Sequence, residues 1–127
     1  MRTGAITELH RLTVSLRGGF ELQDRYLLFS FIGQLDAYSE RQFLDFVTQY
    51  VAKSKLPIVL DLSRVDFLDS SGLGALVQIA KQRNEAKLKF FVVGNSRVVQ
   101  TVKLVRLEAF LNLQPDLATA LGSFAST

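Results

Sequence analysis

Residues 67–76, FLDSSGLGAL, place an acid, two hydroxyls and two glycines between two apolar segments of different spacing. Before them, residues 56–62, LPIVLDL, form an apolar and β-branched run, which is typical of a buried strand. From Leu73 onward, apolar side chains within residues 73–80 recur at the spacing of one helix face. The stretch therefore predicts a short polar turn between a buried strand and a helix, which is the repeating unit of an α/β fold.

Strand and helix patterns alternate on both sides of this turn. Gly18 and Gly19 are expected to end the first strand, and Ser39 with Gln42 has the spacing of a capping box. The order predicts a single α/β domain over residues 1–127, with a core from about 12 to 124 and a mainly parallel mixed sheet with alternating helices. The predicted strands cover residues 12–16, 26–32, 56–62, 87–94 and 110–113, and the predicted helices cover residues 39–53, 73–85, 96–105 and 115–121.

Composition excludes several classes of protein. No run approaches the roughly 18 apolar residues of a membrane span, and residues 1–10 lack the apolar stretch of a signal peptide, so we expect a cytoplasmic chain. The absence of cysteine removes disulfides, thiolate catalysis and cysteine-ligated metals. His10 is the single histidine and is expected at the surface, so a Ser-His-Asp hydrolase has no obvious base.

Positive charge is concentrated in residues 81–106, where seven cations face only Glu85. They are spread over several predicted elements and are not interleaved with aromatic side chains of the kind that stack on bases. We therefore expect solvated faces here and no nucleic acid as a partner. The cations are Lys81, Arg83, Lys87, Lys89, Arg97, Lys103 and Arg106.

The carboxyl ends of parallel strands share one edge of a sheet, where functional loops collect. The predicted order brings the loops around Asp36, Ser70 and Asn95 to that edge. For the serine-rich turn, the plainest interpretation is structural: Ser70 or Ser71 caps the helix and Asp69 complements its positive end.

A nucleotide site is a weaker interpretation of the same turn. Gly72 and Gly74 open the helix, but the third glycine of a dinucleotide fingerprint falls on Val77. A metal-bound cluster of acids would require Asp36, Asp61 and Asp69 to meet, although each lies on a different predicted element. We expect no metal and no cofactor.

The run IVLDLSRVDFLDSSGLGAL, residues 58–76, resembles the sulphate-transporter and anti-sigma-factor-antagonist (STAS) domain family, in particular its stand-alone bacterial antagonists. FSFIGQLDAYS, residues 29–39, and VVGNSRVVQTVKLVRLEAFLNL, residues 92–113, are similar to two further segments of that family. Gln34 departs from a frequent glutamate, and Arg106 stands where a glycine commonly precedes the last strand, which bears on the turn there.

The resemblance implies a binding module and not an enzyme. In switchable members, a serine kinase that is itself an anti-sigma factor phosphorylates the serine at the position of Ser70. The unphosphorylated form binds that kinase and frees a sigma factor, and a metal-dependent serine phosphatase resets the switch. ATP and Mg²⁺ would belong to the kinase. We expect phosphate on Ser70 and not on Ser71, which is expected to serve as a cap. The partner-binding residues that this interpretation implies are Asp36, Asp69, Ser71, Gly72, Leu73, Gly74 and Asn95.

Two alternatives remain open from the sequence. The first is a STAS protein that acts as a scaffold in a larger signalling or transport assembly, without a phosphorylation cycle. The second is an enzyme or nucleotide-binding α/β protein, which calorimetry with ATP, GTP and NAD would detect.

Overall fold

The computed structural model describes residues 8–52 and 54–125, with side chains as far as residue 122. Strands and helices alternate in the order expected from the sequence, after one additional short strand at the start. The strands are β1 His10–Arg11, β2 Leu16–Leu22, β3 Leu27–Leu35, β4 Ile58–Leu68, β5 Phe90–Gly94 and β6 Leu113–Gln114. The helices are α1 Glu40–Val51, α2 Ser70–Glu85, α3 Ser96–Leu104 and α4 Leu117–Ala125.

The six strands form one mixed sheet in sequence order, β1-β2-β3-β4-β5-β6. β1, β2 and β3 pair antiparallel, whereas the pairs from β3 to β6 are parallel. One row of the sheet joins Leu27, Ile58 and Phe90, the first residues of β3, β4 and β5. These strands therefore begin at one edge, which we call the amino edge, and run toward the other, the carboxyl edge. The predicted α/β class and mainly parallel sheet are confirmed.

Helices cover both faces of the central strands. Phe29 and Leu60 point into a cluster with side chains of α1, α2 and α3, whereas Leu28 and Val59 pack with Ala120 of α4 on the other face. Since successive residues of a strand alternate between faces, covering both faces explains why β3 and the first half of β4 have mostly apolar sequences. In the described part of the chain, no helix is long and apolar enough to cross a membrane.

The predicted strand at residues 12–16 is wrong. Thr13 Oγ1 accepts hydrogen bonds from the N–H groups of Ser15 (3.2 Å) and Leu16 (3.1 Å), which bends the chain where alternation suggested an extended segment. The strand begins at Leu16 and continues through Gly18 and Gly19, which were expected to end it. A Cβ on Gly18 would lie 2.8 Å from Leu12 Cδ1, so this glycine admits close packing.

Other boundaries also differ from the sequence analysis, including the ends of β3 and β4, which lie three and six residues later than expected. Of the predicted strand at residues 110–113, only Leu113 pairs in β6, because the preceding residues form a turn that buries Leu111. The first helix ends at Val51, and Lys53, its expected last residue, lies outside the described residues.

A cation with left-handed backbone geometry lies two residues beyond the last residue of both α2 and α3. Lys87 has φ 58° and Arg106 has φ 59°. The N–H of the next residue returns to the helix in each case, from Leu88 to Arg83 O (2.9 Å) and from Leu107 to Val102 O (3.2 Å). This terminal motif favours glycine, and a side chain at the left-handed position costs about 1 kcal/mol. The geometry explains why the position of Arg106 commonly holds glycine, and the turn forms here with arginine in its place.

Arg83 is a buried cation, so its assignment to a solvated face is wrong. It is 4% exposed, and its Nη2 donates to the carbonyl oxygens of Leu56 (2.7 Å) and Lys89 (2.9 Å). Burial lowers the pKa of its guanidinium. Arg83 thus fixes the end of α2 to the segments that lead into β4 and β5.

Candidate functional site

The carboxyl edge carries the three loops that the sequence predicted to share a surface. β3 and β4 end side by side, with Leu35 paired to Leu68, and α1, α2 and α3 all begin at this edge. The Asp69 N–H points to Leu35 O (3.4 Å), and Asn95 Nδ2 donates to Val65 O (2.7 Å). The loops are therefore fixed to neighbouring strands through hydrogen bonds.

Asp69 caps α2, and neither serine does. It has extended backbone geometry, and its Oδ1 accepts the Gly72 N–H at 3.0 Å. Neither Ser70 nor Ser71 makes a side-chain hydrogen bond within the described part of the chain. The expectation that a serine caps this helix is wrong, because the carboxylate one residue earlier already occupies the third free N–H of the helix.

The two serines differ in accessibility. Ser70 is exposed, whereas Ser71 is half-buried. Ser70 lies in the first turn of α2, where unpaired backbone N–H groups and the helix dipole favour an anion. Ser70 was expected to be the more available serine because Ser71 would cap the helix. The structure gives a different reason, which is that Ser70 is the more exposed of the two.

The three residues after the serines have different surroundings. A Cβ on Gly72 would lie 2.3 Å from Leu35 O, so glycine is required where α2 passes the end of β3. Leu73 is buried in the core, and neither it nor Gly72 presents a side chain to a partner. Gly74 is exposed, with open space where a Cβ would stand. Because Gly74 follows Ser70 by four residues, both lie on one helix face, which a partner can approach closely.

Asp36, one of the partner-binding residues that the resemblance implies, is largely buried. It is 8% exposed, and its Oδ1 accepts the Tyr38 N–H at 3.0 Å and lies 3.2 Å from Ser39 Oγ. Its own N–H donates to Ser39 Oγ (3.0 Å). Asp36 therefore shapes the loop between β3 and α1, and its carboxylate is largely used within the fold.

The predicted capping box at the start of α1 does not form. Ser39 makes no cap hydrogen bond, because its buried hydroxyl donates instead to Gln34 O at 2.8 Å. The serine thus closes the turn that contains Asp36 and presents the intervening Ala37 and Tyr38 to solvent.

Asn95 also has a role within the fold. It caps α3, since its Oδ1 accepts the Val98 N–H at 2.9 Å. Its Nδ2 donates to Ser63 O (3.1 Å) and to Val65 O. Asn95 therefore ties the start of α3 to the part of β4 that extends beyond β5, and little of its hydrogen-bonding capacity remains for a partner.

Two exposed aromatic residues at this edge were not identified from the sequence. Tyr38 is 86% exposed in the loop after β3, and Phe67 is 46% exposed near the end of β4. Phe67 lies in the part of β4 beyond the predicted strand at residues 56–62, next to a register shift between Gly33 and Gln34. Exposed aromatic side chains are often the anchors of protein interfaces.

The acidic residues of the described chain do not form a metal site. Among the residues that the structure describes, no three histidine, aspartate or glutamate side chains come together as metal ligands. Asp61 accepts the Ser63 N–H at 3.0 Å in the middle of β4, away from Asp36 and Asp69.

The fold is shared with solved structures. An anti-sigma factor antagonist from Mycobacterium paratuberculosis is 28% identical, with a TM-score of 0.74, over 86% of this chain and 93% of that chain. SpoIIAA from Bacillus, an anti-sigma factor antagonist in its unphosphorylated form, is 15% identical with a TM-score of 0.70, over 87% and 97%. The murine anion transporter Slc26a9 is 15% identical with a TM-score of 0.71, over 80% of this chain and 18% of the transporter.

The sequence itself matches a family model. The STAS domain model covers residues 20–120, which include β3 through β6, the serine-rich turn and most of the core. The chain therefore belongs to the STAS domain family.

Proposed function

We propose that the chain is an anti-sigma factor antagonist that is switched by phosphorylation of Ser70. In this proposal it is a binding module without enzymatic activity. Its unphosphorylated form binds a serine kinase that acts as an anti-sigma factor, and this binding releases a sigma factor. The observation that carries the proposal is the exposed Ser70 hydroxyl, which has no hydrogen-bond partner within the described residues and begins α2 at an edge with exposed aromatic side chains.

Phosphorylation at this position is compatible with the fold. Asp69 already accepts the Gly72 N–H, so the helix start does not depend on the Ser70 hydroxyl. A phosphate adds about −1.5 to −2 charges, and the first turn of a helix tolerates an anion. We therefore expect the modified chain to remain folded.

The same charge would act strongly on a bound partner. Ser70 and Gly74 share a helix face, and Tyr38 and Phe67 supply apolar area at the same edge. A charge placed against an unmatched interface costs several kcal/mol, and every ~1.4 kcal/mol weakens binding tenfold. The kinase would supply ATP and Mg²⁺, and a metal-dependent serine phosphatase would restore binding.

The comparisons support this proposal at the level of similarity. The mycobacterial protein that shares 28% identity and the whole fold is an anti-sigma factor antagonist. SpoIIAA has structures in both an unphosphorylated and a phosphorylated form. At 15% identity, the similarity to SpoIIAA supports the fold only. The proposal of a phosphorylation switch rests on the position and exposure of Ser70.

The test is capture of the chain from its native cell, followed by mass spectrometry. We expect a serine kinase to co-purify with the chain and phosphate to appear on Ser70. The matched control is Ser70→Ala, which should retain the kinase and carry no phosphate. Phosphate on Ser71, or the absence of both a kinase and a phosphate, would contradict the proposal.

A second candidate is a STAS scaffold within a larger assembly, without a switch. It is favoured by the similarity to Slc26a9, where the matched part is 18% of a transporter chain. In that case Ser70→Asp and Ser70→Ala should co-purify with the same partners in equal amounts, and no phosphate should be found at this site.

A further inference from the structure

The amino edge lies at the opposite end of the sheet from Ser70, and the loops at this edge carry mainly positive charge. The segments 23–26, 54–57 and 86–89 lead directly into β3, β4 and β5, whose first residues are paired in one row. The end of α3 lies at the same edge, because the turn after it returns to β5 through a hydrogen bond from Asn112 Nδ2 to Phe90 O (3.0 Å).

Exposed cations outnumber exposed acids at this edge. The acids exposed there are Asp24 and Glu85, among the residues that the structure describes. These cationic side chains make no hydrogen bond or ion pair with another described residue, so their charge is available to a partner. The exposed cations are Arg25, Lys55, Lys87, Lys89, Lys103 and Arg106.

Apolar side chains lie among these cations at the end of α3. Leu104 is 79% exposed and Val105 is 50% exposed, and they stand between Lys103 and Arg106 in the sequence. We call Lys87, Lys89 and residues 103–106 the basic corner. Exposed aliphatic area next to unpaired charge is typical of a protein-binding surface.

Two of these cations, Lys87 and Arg106, also share a backbone geometry. The non-glycine residues with positive φ in the described chain are Lys87, Arg106 and Asn112. The Asn112 side chain is used in the fold through its bond to Phe90 O, whereas the two cations make no such contact. The helix dipole favours a cation near a helix end but does not require one at the left-handed position. At Lys87 and Arg106 the backbone closes α2 and α3, whereas the side-chain charge remains available to a partner.

We propose that the basic corner binds an acidic, amphipathic segment of a protein partner, independently of the Ser70 edge. Carboxylates would meet the four cations, and apolar side chains would cover Leu104 and Val105. A nucleic acid fits less well, because the corner has no aromatic side chain for stacking. A flat anionic membrane fits less well because Asp24 and Glu85 lie on the same edge, and a short peptide can avoid both.

The test is an NMR titration of the full chain with a synthetic peptide of glutamate and leucine at helical spacing. We expect amide shifts to concentrate at residues 87–89 and 103–106, and affinity to fall with added salt. The same peptide with glutamine in place of glutamate should bind at least tenfold more weakly. Vesicles of phosphatidylcholine and phosphatidylserine form a parallel arm of the titration.

Charge-reversal variants locate the site. Lys103→Glu/Arg106→Glu should weaken peptide binding at least tenfold, whereas the charge-matched control Arg41→Glu/Arg64→Glu, on exposed residues away from the corner, should change it less than twofold. Thermal melts check that each variant folds. Ser70→Asp should bind the peptide as wild type does, which separates this surface from the proposed switch.

Four results would overturn the proposal. They are no peptide binding, shifts spread over all exposed cations, equal losses in the two double variants, and binding to the anionic vesicles in preference to the peptide. The last result would assign the corner to a lipid surface.

Discussion

Replacing Asp69 by alanine removes the carboxylate that accepts the Gly72 N–H at 3.0 Å. Loss of an N-cap of this kind typically costs about 1 kcal/mol, with a range of about 0.5 to 2 kcal/mol. For a chain of 127 residues, ordinary per-residue values give an unfolding entropy of about 0.27 kcal/mol per kelvin. We therefore expect the Tm of Asp69→Ala to fall by about 4 °C, and Asp69→Asn, which keeps the acceptor oxygen, to fall less.

Ser70→Ala is the matched comparison on the next residue. The Ser70 hydroxyl is exposed and makes no hydrogen bond within the described residues, and alanine has the higher helix propensity. Its Tm should be unchanged or slightly higher. Differential scanning calorimetry of the three variants at one pH and salt concentration measures the difference. A loss in Ser70→Ala as large as that in Asp69→Ala would refute the assignment of the cap and return Ser70 to a structural role.

Five further variants test the loops around the candidate site and the end of α3. Asp36→Ala should lower the free energy of unfolding, measured in urea, by about 1 to 3 kcal/mol, because it leaves the buried N–H groups of the turn without their acceptor. A change below measurement error would show that the Asp36 carboxylate is solvated. Gly72→Ala should destabilise by about 1 to 3 kcal/mol, since its Cβ would meet Leu35 O, whereas Gly74→Ala, with open space, should stabilise by about 0.5 to 1 kcal/mol. Arg106→Gly should be more stable than Arg106→Ala by about 1 kcal/mol, since both lack the charge and only alanine keeps the left-handed cost; equal unfolding free energies would exclude that geometry.

Local signals were sufficient for the central units of the fold. β4, α2 and β5 each contain a run of one periodicity, and the order of these runs predicts the parallel sheet, although β4 continues to Leu68, beyond the predicted residues 56–62. The first strand failed because alternation in residues 12–16 reflects a bend held by Thr13 Oγ1, which gives the same apolar spacing as an extended strand. Period alone does not separate these two structures.

The site was predicted in position but not in detail. The sequence places Asp36, Ser70 and Asn95 at one edge, and the structure agrees. It does not reveal that Asp36 is buried, because that depends on a serine hydroxyl turned toward Gln34 O. Arg83 was misassigned for a similar reason, since its carbonyl partner Leu56 lies 27 residues away in the sequence. Contacts between distant segments decide which polar side chains remain available.

The most direct test of the central claim is the affinity of the co-purifying kinase for two forms of the chain, one unmodified and one phosphorylated at Ser70. Isothermal titration calorimetry at physiological ionic strength measures both without a mutation. We predict that phosphorylation weakens binding at least tenfold, or ~1.4 kcal/mol, while the Tm of the chain changes little. Equal affinities for the two forms would contradict the switch and would show that phosphorylation of Ser70 does not affect binding of the kinase.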